Sequence, residues 1–331
     1  NYLLVLIMIK KQKILVIRFS SIGDIILTTP VVRALKQKDF IVHFLTKTKN
    51  ISIIENNIFI DKIYVFNKSI YEIIKDLKNE EYDIIVDLHN NLRSNLLRMH
   101  LKIKTFKVRK NNLDKFIYIY FGINLLKNQH VVSRNLKTIS SLVNNKYDNK
   151  GLDFFIDFKI SKNDLINDEY IVWSLAGSHQ NKKLNFKIIN EVLDKIKTPI
   201  VFIGGSDDFN LADKLSKSNN KIYNFCGKTT LNQSALIINN SLILLSNDTG
   251  MMHLGAALEK PIISFWGCTK PSLGFSPYKT NNFSKLIISN KYKRPCSRHG
   301  QKCRGKIKCI SSITSEEILN TLKLFFDKKS F

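Results

Sequence analysis

Four short stretches of the chain hold residues that could do chemistry. In Ser20-Ser21-Ile22-Gly23-Asp24 a carboxylate follows an apolar run and opens a helical pattern. At a strand's carboxyl end it could act as a general base in a cleft, or it could simply cap a helix N-terminus. The dinucleotide fingerprint Gly-x-Gly-x-x-Gly is absent from this turn. In Ala176 to Lys183 a glycine-containing polar loop ends in two lysines ahead of a helix. That composition suits phosphate neutralisation and also an ordinary solvated loop, and its spacing is not that of a Walker A loop. In Asn247-Asp248-Thr249-Gly250 an acid, a hydroxyl and a glycine end an apolar run, and the backbone N–H groups of Gly250, Met251 and Met252 would open a helix, where an anion is favoured. Asp-Thr-Gly is also the aspartic-protease triplet, but that chemistry needs two carboxylates sharing a proton, and this chain has one copy with a helix behind it. His253, one turn further, suits either helix packing or a phosphate contact, and the Met251 side chain suits the core. Finally, Cys296, His299, Cys303 and Cys309 could ligate zinc. Their spacing, C-x2-H-x3-C-x5-C, matches no standard zinc module, so free reduced thiols are the simpler expectation.

The elements around these stretches follow from hydrophobic periodicity. Apolar runs at 13–19, 40–45, 63–66 and 83–87 read as strands, with helical spacing over 25–36 and 70–77 between them. A polar, irregular segment from about Asn144 to Asp168 reads as a linker, with one apolar patch at 152–158. The pattern then restarts: strands at 170–174 and 199–203, helices over 186–196, 207–215 and 231–238, then the strand–turn–helix–strand unit 242–267 and a last helix over 313–326. Strands alternating with helices predict parallel, doubly wound sheets, whose ligands bind outside the strands' carboxyl ends. The expected division is a first Rossmann-like domain over 8–150, a second over 151–312, and a terminal helix, 313–331, packing back on the first domain.

The chain has 331 residues, 44% of them hydrophobic, and a formal net charge of +25. A charge of this size suits an anionic partner: nucleic acid, an acidic membrane surface or a phosphorylated substrate. The basic residues are scattered rather than blocked, which argues against a nucleic-acid tail. Five cysteines in a chain this long do not make a secreted disulfide scaffold, so a reducing compartment is expected. The apolar stretch from Tyr2 to Ile9 is too short to span a bilayer and lacks a basic n-region and a cleavage site. Met8 is the expected start of translation.

Together these motifs resemble glycosyltransferase family 9, the ADP-heptose:lipopolysaccharide heptosyltransferases. The match runs in order through IRFSSIGDIILTTPVVRALK (17–36), YDIIVDLHNNLRS (82–94), FIGGSDD (202–208), FCGKTTL (225–231) and NDTGMMHLGAALEKPIISFWG (247–267), nearly the whole chain. The family's central Lys-Arg-Trp-Pro is replaced by Lys183-Leu184-Asn185-Phe186. The resemblance implies a GT-B fold, two Rossmann-like domains facing a central cleft. It implies inverting transfer from an ADP-sugar with no required cofactor or metal, and Asp24 as the base. Donor binding would fall to Lys183, Asp248, Thr249, Gly250, Met251, His253, Gly227 and Lys228, and acceptor binding to Ser21, Gly23, Arg93 and Arg134. The implied partners are the nucleotide-sugar donor, an anionic glycolipid acceptor and an anionic membrane face, with no nucleic acid. The implied location is cytoplasmic, at the inner face of the inner membrane. Two other readings are kept: the same fold with another nucleotide sugar, and a non-catalytic protein binding anionic glycolipid or nucleic acid.

Overall fold

The structure is a computed structural model and describes residues 11–127, 129–157, 169–217 and 221–329. The expected start at Met8, the apolar stretch before it and residues 158–168 of the expected linker lie outside the described residues.

The first half runs β1 (Lys13–Ile17), α1 (Ile22–Ile26), α2 (Thr29–Lys36), β2 (Ile41–Lys47), β3 (Lys62–Phe66), α3 (Ile74–Asn79), β4 (Ile84–Asp87), α4 (Leu92–Leu101), β5 (Thr105–Lys107), α5 (Asn112–Phe121) and α6 (Val131–Thr138). Its five strands pair in parallel in the order β3-β2-β1-β4-β5. The second half runs β6 (Ile171–Ser174), α7 (Phe186–Leu193), β7 (Ile200–Ile203), α8 (Phe209–Ser216), β8 (Ile222–Asn224), α9 (Leu231–Asn240), β9 (Ile243–Asn247), α10 (Gly250–Ala257), β10 (Ile262–Trp266), β11 (Lys285–Ile288) and α11 (Ser315–Lys329). Its six strands are also parallel, in the order β11-β10-β9-β6-β7-β8. Helices cover both faces of each sheet, so the central strands are continuous apolar runs such as KILVI and IVWS.

Chain order reverses between β1 and β4 in the first sheet and between β6 and β9 in the second. These are the switch points where a doubly wound sheet opens a crevice. Asp24 follows β1, the two-lysine loop follows β6, and Asp248 follows β9.

Two expectations are corrected. The single helix over 25–36 is two. The Thr28 and Thr29 hydroxyls donate to the carbonyls of Ile25 and Ile26 at 2.6 and 2.8 Å, competing with the helical ladder, and Pro30 restarts the helix in the first turn of α2. Among the described residues the terminal helix α11 packs on the second domain and not the first: Ile318, Leu322 and Phe325 join Ile189 and Val192 of α7 in its core.

The halves meet through α1 and α10. A Cβ on Gly23 would lie 2.6 Å from Cδ2 of His253, and one on Gly250 would lie 3.0 Å from Cγ2 of Ile22. Both glycines are needed for this approach, whatever else they do. A second contact holds the halves together: Val131 N–H donates to the Gly274 carbonyl at 2.9 Å, and the Tyr118 hydroxyl meets Ser272 Oγ at 2.8 Å. Arg33, on α2, fastens the start of the expected linker. It pairs with Asp148 at 2.8 Å and with Asp153, and donates to the Gly151 carbonyl at 2.8 Å.

Candidate active site

The crevice between the halves holds a cavity of about 510 Å³, the size of a small-molecule site. From the first half it is lined by Ser21, Ile22, Gly23 and Asp24, and from the second by Asp248 to Met251 and His253, among others. The Asp24 and Asp248 turns therefore line one cavity from the two halves.

Asp24 sits in the first turn of α1. Ser21 donates to its Oδ2 from both Oγ (2.9 Å) and the backbone N–H (3.3 Å), and Arg18 Nη2 lies 2.7 Å from Oδ1. Arg18 is itself held by the carbonyls of Ser20 and Leu88 at 2.9 and 2.6 Å. Burial pushes the Asp24 carboxyl up, but Arg18 and the Ser21 hydrogen bonds outweigh it and hold the group below the ordinary carboxylate range. Asp24 is thus ionised at neutral pH and can accept a proton.

Opposite it, α10 begins at Gly250 behind Thr249, whose side chain makes no capping bond and whose buried Oγ1 has no partner. The first-turn N–H groups of α10 therefore face the cavity without a side-chain cap, an arrangement suited to an anion. Asp248 is fixed by Lys182, whose Nζ lies 2.7 Å from Oδ2, and by the Thr269 hydroxyl, which donates to Oδ2 at 2.7 Å. Buried His253 packs against Gly23, and burial lowers its pKa to about 4, so it is neutral at pH 7.

The structure brings Lys182 to the cavity, not Lys183. The Lys183 Nζ turns away to Asp208 at 2.5 Å, and Asp208 in turn accepts from the Gly205 N–H at 2.9 Å. A Cβ on Gly177 would lie 2.8 Å from Lys183 Cγ, so the loop is shaped around that buried stem. Gly227 and Lys228 are exposed and outside the lining. Gly227 adopts φ +70°, and a Cβ there would lie 2.9 Å from Ser206 Cα, while Lys228 lies over the Phe209 ring. Thr229, Leu231 and Ser234, just beyond, do line the cavity. Arg93 is exposed on α4 and outside the lining.

Arg134 belongs to a cluster that the sequence does not display. Arg18, Lys110, Lys115, Arg134 and Arg298 lie close enough to influence one another's charge, with Asp24 beside them. Lys115 is buried, its Nζ 5.5 Å from the centre of the Phe275 ring in the cavity wall. Burial, reinforced by Arg134 and Arg298, pushes its pKa down to about 7. The Nε atoms of Arg134 and Arg298 are buried without partners. Of these five cations Arg298 lines the cavity, and an excess of partly buried positive charge is unfavourable unless an anion joins it.

The proposed zinc set changes membership. His299 lines the cavity. Cys296, Cys303 and Cys309 come together, and Cys268, after β10, packs on them.

Comparison with known proteins agrees with this layout. The family model of glycosyltransferase family 9 (heptosyltransferase) matches residues 70–307, more than half of the chain. The chain belongs to glycosyltransferase family 9. It is a glycosyltransferase, as its crevice of two facing Rossmann-like sheets suggests. A curated family relative, lipopolysaccharide heptosyltransferase 1 of Campylobacter coli, is 28% identical, with 95% of this chain and 99% of the relative aligned. Among solved structures, a family 9 glycosyltransferase from Veillonella parvula superposes with a TM-score of 0.79 at 18% identity, covering 96% of this chain and 98% of that one. The E. coli heptosyltransferase WaaC solved with ADP gives 0.70 at 18% identity, covering 96% and 99%. Both share the fold, so the expected GT-B architecture holds. The family match begins after the Asp24 turn, which the longer alignment to the Campylobacter enzyme spans.

Proposed function

We propose that this chain transfers a heptose from ADP-heptose to an anionic lipopolysaccharide core acceptor, inverting the anomeric centre, with Asp24 as general base. The observation that carries this reading is the pairing, across one cavity, of an ionised carboxylate with an uncapped helix N-terminus. The names of the relatives support the substrates: the Campylobacter enzyme is a lipopolysaccharide heptosyltransferase, and WaaC was solved with ADP and with ADP-2-deoxy-2-fluoro heptose.

The acceptor hydroxyl attacks the anomeric carbon as Asp24 takes its proton. The bond from that carbon to the diphosphate oxygen breaks, and ADP leaves with the electron pair. Negative charge grows on the departing diphosphate, where the N–H groups of Gly250 and Met251 and the Lys182 ammonium stabilise it. Asp248, held on Oδ2 by Lys182 and Thr269, offers Oδ1 to a sugar hydroxyl. An attacking base and a leaving group on opposite walls give in-line displacement. The unbalanced cations around Asp24 would meet the acceptor's phosphates or acidic sugars. Calorimetry with ADP-, UDP- and GDP-sugars, followed by NMR of the product, tests this. ADP-heptose should bind and give product of inverted configuration. Preference for a UDP- or GDP-sugar would move the chain to another donor, and binding of acceptor without any nucleotide sugar would make it a non-catalytic binder.

Among the described residues no helix is long and apolar enough to cross a membrane. We propose instead a cytoplasmic enzyme that touches an anionic membrane face through α5. Leu113, Phe116, Tyr120 and Phe121 are half or more exposed on this helix, a cluster whose aromatic rings suit a lipid interface. The chain should float with anionic vesicles, and Phe116→Ser with Phe121→Ser should abolish flotation; equal flotation with neutral vesicles or of the double variant would contradict it.

A further inference from the structure

Residues 289–308, between β11 and Cys309, contain no helix or strand. Three sulfurs organise this segment. Cys303 Sγ lies 3.2 Å and Cys296 Sγ 3.6 Å from Cys309 Sγ, and all three fall within 4.8 Å of one another. Cys268 packs against the group from the end of β10, and its carbonyl accepts from the Cys296 N–H at 2.7 Å. A disulfide would use two sulfurs and leave the third crowded. A thiol is a weak donor and weak acceptor, so three thiols gain little from such proximity. Zinc–sulfur bonds of about 2.3 Å in a tetrahedron place sulfurs about 3.8 Å apart, near the separations seen.

We propose that Cys296, Cys303 and Cys309 together bind one soft divalent ion, zinc or iron; Cys268, whose Sγ donates to the Asn181 carbonyl at 3.5 Å, packs beside them as the nearest further thiol. Each thiol gives up its proton to solvent as its sulfur joins the ion. The ion fastens a segment that touches both sides of the crevice. Gly300, at φ +87°, lets the Lys182 side chain pass: a Cβ there would lie 2.8 Å from Lys182 Cγ. Asn181 Nδ2 donates to the carbonyls of Gly300 and Gln301, both at 3.1 Å. Arg298 reaches the cavity, while Arg294 and Arg304 donate to the carbonyls of Tyr120 and Ile119 at the end of α5. The ion thus acts through Lys182 and Arg298 and does no chemistry itself. Its effect on transfer rests on the proposed function, whereas its presence does not.

Elemental analysis of the full chain, purified from cells supplied with zinc and iron, should find about one ion per chain and identify it. Cys303→Ser and Cys309→Ser should lose it, and Cys226→Ser, altering a buried thiol outside the group, should keep it. Cobalt exchange should give the intense visible bands of tetrahedral thiolate coordination. If the serine variants do not fold, titrating the wild-type thiols with a mercurial should release the ion into a colorimetric chelator. A wild-type chain without stoichiometric metal, metal retained in Cys303→Ser, or a Cys303–Cys309 disulfide in non-reduced peptide maps would overturn the site. An ion present without sugar transfer would leave the site standing and remove the proposed function.

Discussion

Arg33 and Arg298 are two guanidinium groups in opposite circumstances. Arg33 has two carboxylates and a carbonyl around it, and its side chain is only 5% exposed. Burial works against its charge, but Asp148 and Asp153 outweigh that and raise its pKa. Arg298 has an orphaned Nε and sits among Arg134, Lys110 and Lys115, with Asp24 the single acid that favours its charge. Burial lowers its pKa. Charges that hold a fold together are balanced within the fold, and charges that await a ligand are not. The cleft of this protein belongs to the second kind.

Substitution should separate the two. Arg33→Ala strands Asp148 and Asp153, and should cost about 3 kcal/mol or more of stability while leaving acceptor KM near wild type in the folded fraction. Arg298→Ala relieves like-charge crowding, so stability should hold or rise while acceptor KM increases roughly tenfold or more, about 1.4 kcal/mol. Denaturant titration and steady-state kinetics read both; a stability loss in Arg298→Ala as large as that in Arg33→Ala would erase the distinction. The smallest effect concerns pH. Lys115 titrates at about 7 in the folded chain against an ordinary 10.5, so the unfolded chain holds more protons between those values. Stability should rise with pH across that window, the penalty being fully present below it. Acceptor KM should also rise above pH 7 as the ammonium is lost. Lys115→Met should flatten both slopes, and an unchanged KM profile in that variant would remove Lys115 from the acceptor side.

Much of this was legible in the chain. β1, β4, β6 and β9 are covered on both faces, so their apolar runs stand out, and the acids that follow β1 and β9 and the lysines that follow β6 fall where a doubly wound sheet binds ligands. β5, β8 and β11 left no comparable mark: they are edge strands of three, three and four residues. Lys182 and Lys183 are adjacent and chemically identical. Asp208 draws one away and Gly300 makes room for the other, and neither partner is a sequence neighbour. The cationic cluster was hidden for the same reason, since Arg18, Lys110, Lys115 and Arg134 are far apart along the first half and Arg298 joins them from the second. Cys268 was missed as a neighbour of the other thiols because β10 ends far along the chain from them.

The central claim is that Asp24 takes the acceptor's proton while the opposite wall holds the donor. Single-turnover transfer by Asp24→Asn, with ADP binding measured on the same protein, tests it most directly. The shape is kept and the base is removed, so the rate should fall by about a thousandfold, with ADP affinity unchanged because its proposed contacts lie on α10 and Lys182. Transfer within a few-fold of wild type would contradict the account.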